Sequence, residues 1–177
     1  MWRRTIAAVA WLPVLCFAQE GEISNLIKTV PARDLPWLSA RAQMCVVEAA
    51  QFHRVNQDVL VAMLRVESNA KSPPVTTNKN RSIDVGLLRT NSVHFNDLLK
   101  KGVAPKDLLD ECVSLYVGAW MYSKKVFKYG NTWRAIGSYH SDTPRLNYRY
   151  QALVHNELVA MKVLSAAKIT VPPLSPP

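Results

Sequence analysis

The run Val55-Asn56-Gln57-Asp58-Val59-Leu60-Val61-Ala62-Met63-Leu64-Arg65-Val66-Glu67-Ser68 constrains this chain more than any other stretch. Apolar residues at helical spacing follow a good N-cap, Asn56, and a first-turn acid, Asp58, so the run predicts a helix. Leu60, Met63 and Glu67 stand at i, i+3 and i+7, which puts the glutamate on the face of the buried stripe. Ser68-Asn69 and then Pro73-Pro74 stop the helix just beyond it. A carboxylate at that place is disfavoured twice, by apolar neighbours that desolvate it and by the negative end of the helix dipole. Both effects raise its pKa, as a general acid working near neutrality requires. A frayed, wet helix end carrying a glutamate fits the same residues, and the helix alone does not separate the two.

The chain begins like an exported protein. Arg3-Arg4, an apolar run from Ile6 to Phe17 and the small-residue site Cys16-Phe17-Ala18 read as a signal peptide over residues 1–18, too short for an ordinary transmembrane span. Cleavage after Ala18 removes both arginines and lowers the net charge of +9 by two, to +7. It also leaves two cysteines, Cys45 and Cys112, an even count that points to a disulfide in an exported chain. Leu38, Ala42, Cys45, Ala49 and Phe52 form one helical stripe, and Cys112, Leu115, Ala119 and Val126 another, so both cysteines face a core where they can meet. Two separate buried thiols are the alternative.

The rest reads as helices joined by breakers. A linker over 19–36 leads to a helix near 37–53, and the 177-residue length suits one domain, here 37–168. The stretch Ser72 to Arg81 is too rich in breakers for regular structure. A short helix is expected from Ser92 to Lys101, then the Cys112 helix ended by Gly130, a short one capped by Asn131, and a long one from about Pro144 to Lys168. The residues from 169 to 177 read as a proline-rich disordered tail. No strand of useful length stands out, so the expected fold class is all-α.

Three motifs then fall in order: Glu67-Ser68, Ser82-Ile83-Asp84-Val85-Gly86-Leu87 running on to Arg89 and Asn91, and Tyr139-His140-Ser141. With Cys45 and Cys112 at matching places, they resemble the lysozyme-like lytic transglycosylases. The match is closest to the specialised branch that accompanies secretion, conjugation and type IV pilus machines, and it covers roughly residues 42 to 155. The resemblance implies the helical fold of goose-type lysozyme and of soluble lytic transglycosylase catalytic domains, and glycan strands of peptidoglycan as partner. It implies that Glu67 is the single catalytic acid and base and that Ser68 orients substrate. Gly86, Leu87 and Asn91 belong to the segment that lines the cleft, and Tyr139 closes the site near the glutamate. Arg89 stands where most members have Gln, and His140-Ser141 where the broader family has Asn-Ala, so glycan contacts differ there.

The implied reaction uses Glu67 first to protonate the oxygen between N-acetylmuramic acid and N-acetylglucosamine, then to take the proton from the muramoyl C6 hydroxyl. That hydroxyl closes on C1 and leaves a 1,6-anhydromuramoyl end, with no water, metal or cofactor. Asp84 opens a second reading, because its segment also resembles the one that carries the second carboxylate of animal lysozymes; at about 5–5.5 Å from Glu67 it would permit hydrolysis. A third reading is a wall-binding assembly protein with a weak site, which the +7 charge suits. Nucleic acid also fits the charge, but the export signal points to the periplasm or beyond. A monomer is expected. No two of the four histidines have metal-ligand spacing, Lys100-Lys101 and Lys124-Lys125 read as solvated faces, and Trp37, Trp120 and Trp133 as core.

Overall fold

A computed structural model describes residues 35–68 and 75–174. The expected signal peptide over 1–18, the linker as far as residue 34 and the end of the tail, 175–177, lie outside them. The chain starts with α1 (Ala40–Phe52) and α2 (Gln57–Glu67). Three short strands follow, β1 (Val75–Thr77), β2 (Ile83–Val85) and β3 (Thr90–Asn91), then a 3-10 turn at Ser92–His94 and α3 (Phe95–Leu99). A second 3-10 turn at Pro105–Leu109 leads into α4 (Glu111–Tyr129), α5 (Trp133–His140) and α6 (Pro144–Ala160).

Local chemistry explains most of these boundaries. The side chains of Ser39, Asn56, Asp110 and Thr132 accept from the Ala42, Val59, Val113 and Ala135 amides, satisfying helix-start donors that have no partner within the helix. The α5 cap is thus Thr132 rather than the expected Asn131. Gly130 ends α4 with φ +72°, as its place in the sequence predicts. The last helix stops at Ala160, short of the expected Lys168, because Lys162 turns left-handed at φ +59°. The segment beyond it runs back along α6, where Arg145 and Arg149 donate to the carbonyls of Pro172, Pro173 and Leu174.

The α2 helix is central, with every residue from Asp58 to Leu64 buried. Packed around it, α1, α4, α5 and α6 supply a core that includes Ala49, Leu115, Tyr122, Ile136, Tyr150 and Val154. The Arg65 guanidinium bonds Glu157 at 2.8 Å, tying the last turn of α2 to α6. Phe52, expected inward, is 74% exposed, with its ring edge-on to His53 and near Tyr116. Trp133, read as core, is also exposed and packs beside His155.

The helical architecture carries a small antiparallel sheet that the sequence does not predict. Its strands are two or three residues long, too short to show alternation, and the first lies in the stretch read as irregular. A sheet this small is not stable alone. It is pinned to α4 through Leu88, whose fully buried side chain lies over Gly118, where a Cβ would come within 2.2 Å of it. Gly86 makes the same approach possible from the other direction, with φ +80° and room for no Cβ within 2.3 Å of the Leu108 carbonyl oxygen.

Cys45 and Cys112 form the expected disulfide, Cα atoms 5.3 Å apart, and lock α1 to α4. Closing a loop of sequence separation 67 stabilises a fold by roughly 4 kcal/mol on loop-entropy grounds. In protein freed of residues 1–18, alkylation without reductant should therefore leave the mass unchanged. Replacing both cysteines by alanine should lower unfolding free energy in urea by about 2–4 kcal/mol.

Candidate active site

Glu67 ends α2 at the floor of a cleft of ≈ 650 Å³. Its helix arrives there through the core, so packed protein takes the place of part of the water around the carboxyl group. Burial pushes its pKa up to about 7; the Tyr150 hydroxyl and the Arg89 guanidinium, which favour the anion, offset part of the rise, and Asp84 adds to it. Near neutral pH the group is divided between acid and carboxylate, and it can both give and take a proton.

Across the cleft stands the sheet. Register pairs Thr76 with Asp84 and Asp84 with Asn91, so these three side chains form one cross-strand row. The Asn91 amide donates to one Asp84 carboxylate oxygen at 2.7 Å and the Asn78 amide to the other at 2.9 Å. Both amides also donate to the Ser82 hydroxyl at 3.0 Å. Asp84 is therefore clamped in one orientation. Arg89 donates to the Thr76 hydroxyl and sits at φ +52°, a left-handed conformation that a side chain adopts only when its surroundings impose it.

The third wall comes from α5 and α6. The Tyr139 hydroxyl donates to the Leu88 carbonyl at 2.8 Å, so the ring bridges α5 to the sheet. Burial raises its pKa well above the usual phenol range, and the negative charges of Glu67 and Asp84 add to this, so Tyr139 stays protonated. The His140 ring stacks on Tyr150, centroids 5.1 Å apart and planes parallel. Its pKa is lowered by burial, with Asp84 opposing and Arg149 adding to the effect.

Glu67, Asp84, Arg89, Asn91, Tyr139 and His140 all line the same cleft. Ser68, Gly86 and Leu87 do not. Ser68 is buried and donates its hydroxyl to the Leu64 carbonyl at 3.0 Å. Gly86 serves the close approach to α4, and Leu87 packs against the core. Sequence reasoning missed Asn78 and Ser82, the other members of the Asp84 clamp, whose spacing of six and two residues before Asp84 was the available signal. Tyr150 also stands beside Glu67, and its place on the α6 helical stripe does not distinguish a core position from one beside a site.

Two further hollows continue the cleft. One, of ≈ 310 Å³, shares Glu67, Asp84, Arg89, His140 and Leu146 with it and reaches Arg149 and Leu174. The other, of ≈ 420 Å³, shares His94, Met121, Tyr139 and His140 and extends along α4. The three make a groove with the Glu67 carboxyl group in its middle portion, the form expected of a site for an extended polymer.

The chain matches the family model described as Transglycosylase SLT domain over residues 44–151. It is similar to Invasion protein IagB of Salmonella typhimurium, 32% identical over 127 residues, which cover 69% of this chain and 79% of that protein. It is also similar to X polypeptide of Escherichia coli, 30% identical over 102 residues (57% of this chain, 60% of that protein). A third relative, the Peptidoglycan-binding-like protein of Escherichia coli O157:H7, is 30% identical over 112 residues, 59% of this chain and 67% of that protein. Glu67, the clamped Asp84 and the Tyr139 bridge all fall inside the matched span, and the chain belongs to the transglycosylase SLT domain family, lysozyme-like enzymes that act on peptidoglycan.

Proposed function

We propose that this protein is a peptidoglycan lytic transglycosylase in which Glu67 is both general acid and general base. The observation that carries the reading is one carboxyl group with a pKa of about 7 in the middle of a polar groove. In the acid form Glu67 protonates the glycosidic oxygen, and the bond from that oxygen to muramoyl C1 breaks. The resulting carboxylate takes the proton of the C6 hydroxyl as its oxygen bonds to C1, giving a 1,6-anhydro ring and restoring the acid. No water enters. Asp84, with both oxygens held by amides, supplies a fixed negative charge opposite the positive charge that develops at C1. Arg89, Asn91, Tyr139 and His140 shape the glycan contacts.

A lysozyme-type hydrolysis through Asp84 is the second reading, because Asp84 shares the cleft with Glu67. The two amide donors that occupy its oxygens favour the electrostatic role over nucleophilic attack. The relative named an invasion protein, together with the export signal in residues 1–18, supports a periplasmic or exported enzyme that opens the wall locally for a secretion, conjugation or pilus machine.

Glu67→Gln keeps the shape of the side chain and removes its titrating proton, so clearing of purified sacculi should fall at least about 100-fold while the protein stays folded. Wild-type digests read by mass spectrometry should carry 1,6-anhydromuramoyl ends; reducing-end muramic acid as the main product would decide for hydrolysis. Asp84→Asn should slow cleavage by roughly tenfold or more without changing those ends.

The raised pKa also couples to stability. A folded-state value near 7 against an ordinary 4.5 means that the folded protein binds this proton more tightly than the unfolded chain. The benefit is complete below about pH 4.5 and is lost as pH rises through 7. The melting temperature of Glu67→Gln should therefore match wild type at pH 4 and exceed it at pH 8, by an amount equivalent to about 3 kcal/mol at most. The wild-type cleavage rate should decline above pH 7 as the acid form disappears.

A further inference from the structure

Met121, Lys124, Lys125 and Lys128 follow one another at i, i+3, i+4 and i+7 on α4. On the opposite side of the helix the same kind of spacing carries Cys112, Leu115, Ala119 and Tyr122 into the core. Here it places three lysines along one wall of the ≈ 420 Å³ hollow that continues the cleft. Facing them are Ser138, Tyr139, His140, Ser141 and Asp142 from the end of α5 and the turn after it.

These lysines differ from an ordinary solvated helix face in three respects. They line a concavity that opens onto the cleft past Met121, Tyr139 and His140. They are held in place: the Lys124 ammonium lies 3.8 Å from the Trp120 ring centroid, with Lys101 on the same ring at 5.3 Å, and Lys128 lies 4.8 Å from the Tyr129 ring. Their charge is only partly balanced locally: Asp142 engages Lys125 at 3.3 Å, and Asp97, whose charge also reaches Lys124, pairs with Lys100 at 3.7 Å. The excess positive field is felt by a neighbour: burial lowers the His94 pKa, and Lys124 and Lys125 lower it further against the pull of Asp97.

The sugars of peptidoglycan carry no positive or negative charge apart from the muramoyl lactyl group, which is an amide wherever a stem peptide is attached. Anionic charge on an uncut strand is therefore concentrated in the carboxylates of the stem peptides. A groove that takes the glycan and opens beside it onto a cationic hollow is built to read them. We infer that Lys124, Lys125 and Lys128 form a subsite for stem-peptide carboxylates, so that this enzyme selects peptide-bearing over denuded glycan. The inference rests on peptidoglycan being the substrate and deepens that reading. Each lysine acts as a point charge toward a mobile carboxylate, which suits recognition of a flexible peptide better than a fixed bidentate fork would.

The test is binding, independent of cleavage. Glu67→Gln protein is titrated with two soluble probes: the disaccharide N-acetylglucosaminyl-N-acetylmuramic acid bearing a tetrapeptide stem, and the same disaccharide with its lactyl carboxylate capped as the methylamide in place of the peptide. The peptide-bearing probe should bind about tenfold more tightly, with a stronger salt dependence. Adding Lys124→Gln and Lys128→Gln should bring its affinity down to that of the capped disaccharide and leave the latter unchanged. Amidating the stem carboxylates should remove the preference in the same way, and melting temperatures confirm that each variant is folded. Equal affinities for the two probes, or a preference that survives the lysine changes, would overturn the subsite. So would capture of anionic phospholipid vesicles that depends on the same lysines while the probe preference does not. Retention of native cleavage by Glu67→Gln would sink the reaction assigned to that residue and leave the two affinities to decide the subsite on their own.

Discussion

Everything in this structure depends on one carboxyl group that is delivered to the cleft from inside the protein. Because α2 is buried from Asp58 to Leu64, its half-buried last turn emerges into the cleft from packed protein. Desolvation, with a smaller contribution from Asp84, lifts Glu67 to a pKa of about 7 against the opposing pull of Tyr150 and Arg89. The rest of the cleft is arranged about this fixed point. The sheet opposite it could not stand by itself, and it borrows rigidity from α4 through Leu88 and Gly118 and from α5 through the Tyr139 hydroxyl. One wall is self-supporting and the other is dependent, so damage to packing far from Glu67, at Gly118 for example, reaches the cleft by loosening the Asp84 side.

Arg89 shows how a single side chain enters this balance. Its guanidinium stabilises the Glu67 anion. The left-handed backbone at Arg89 and its bond to Thr76 fix that charge on the sheet rather than leaving it to swing in solvent. Burial still wins, but the margin by which Glu67 remains an acid at neutral pH is smaller than it would be with a neutral side chain there.

What the sequence made legible was local in origin. The α2 helix, its Asn56 cap, the Gly130 stop and the core-facing cysteines follow from residue spacing and from caps, which need no knowledge of the rest of the fold. The sheet did not follow, because strands of two or three residues show no alternation and are held largely by side-chain amides around Asp84 and by Leu88. At the site, Glu67, Asp84, Arg89, Tyr139 and His140 converge on one cleft. Ser68 and Gly86 stand in the same segments but do not line it: one caps a helix and the other lets two backbones approach. A motif marks a segment as part of a site without saying which of its members face the ligand.

The disulfide has a topological consequence beyond the stability it confers. Cys45 lies before α2 and Cys112 opens α4, so Glu67, Asp84, Arg89 and Asn91 all sit within one covalent ring. A single backbone cut anywhere between the two cysteines, by a protease for instance, would linearise the ring without separating its pieces. The Glu67 carboxyl group and the strands that face it would remain parts of one molecule, able to find each other again without a second-order encounter.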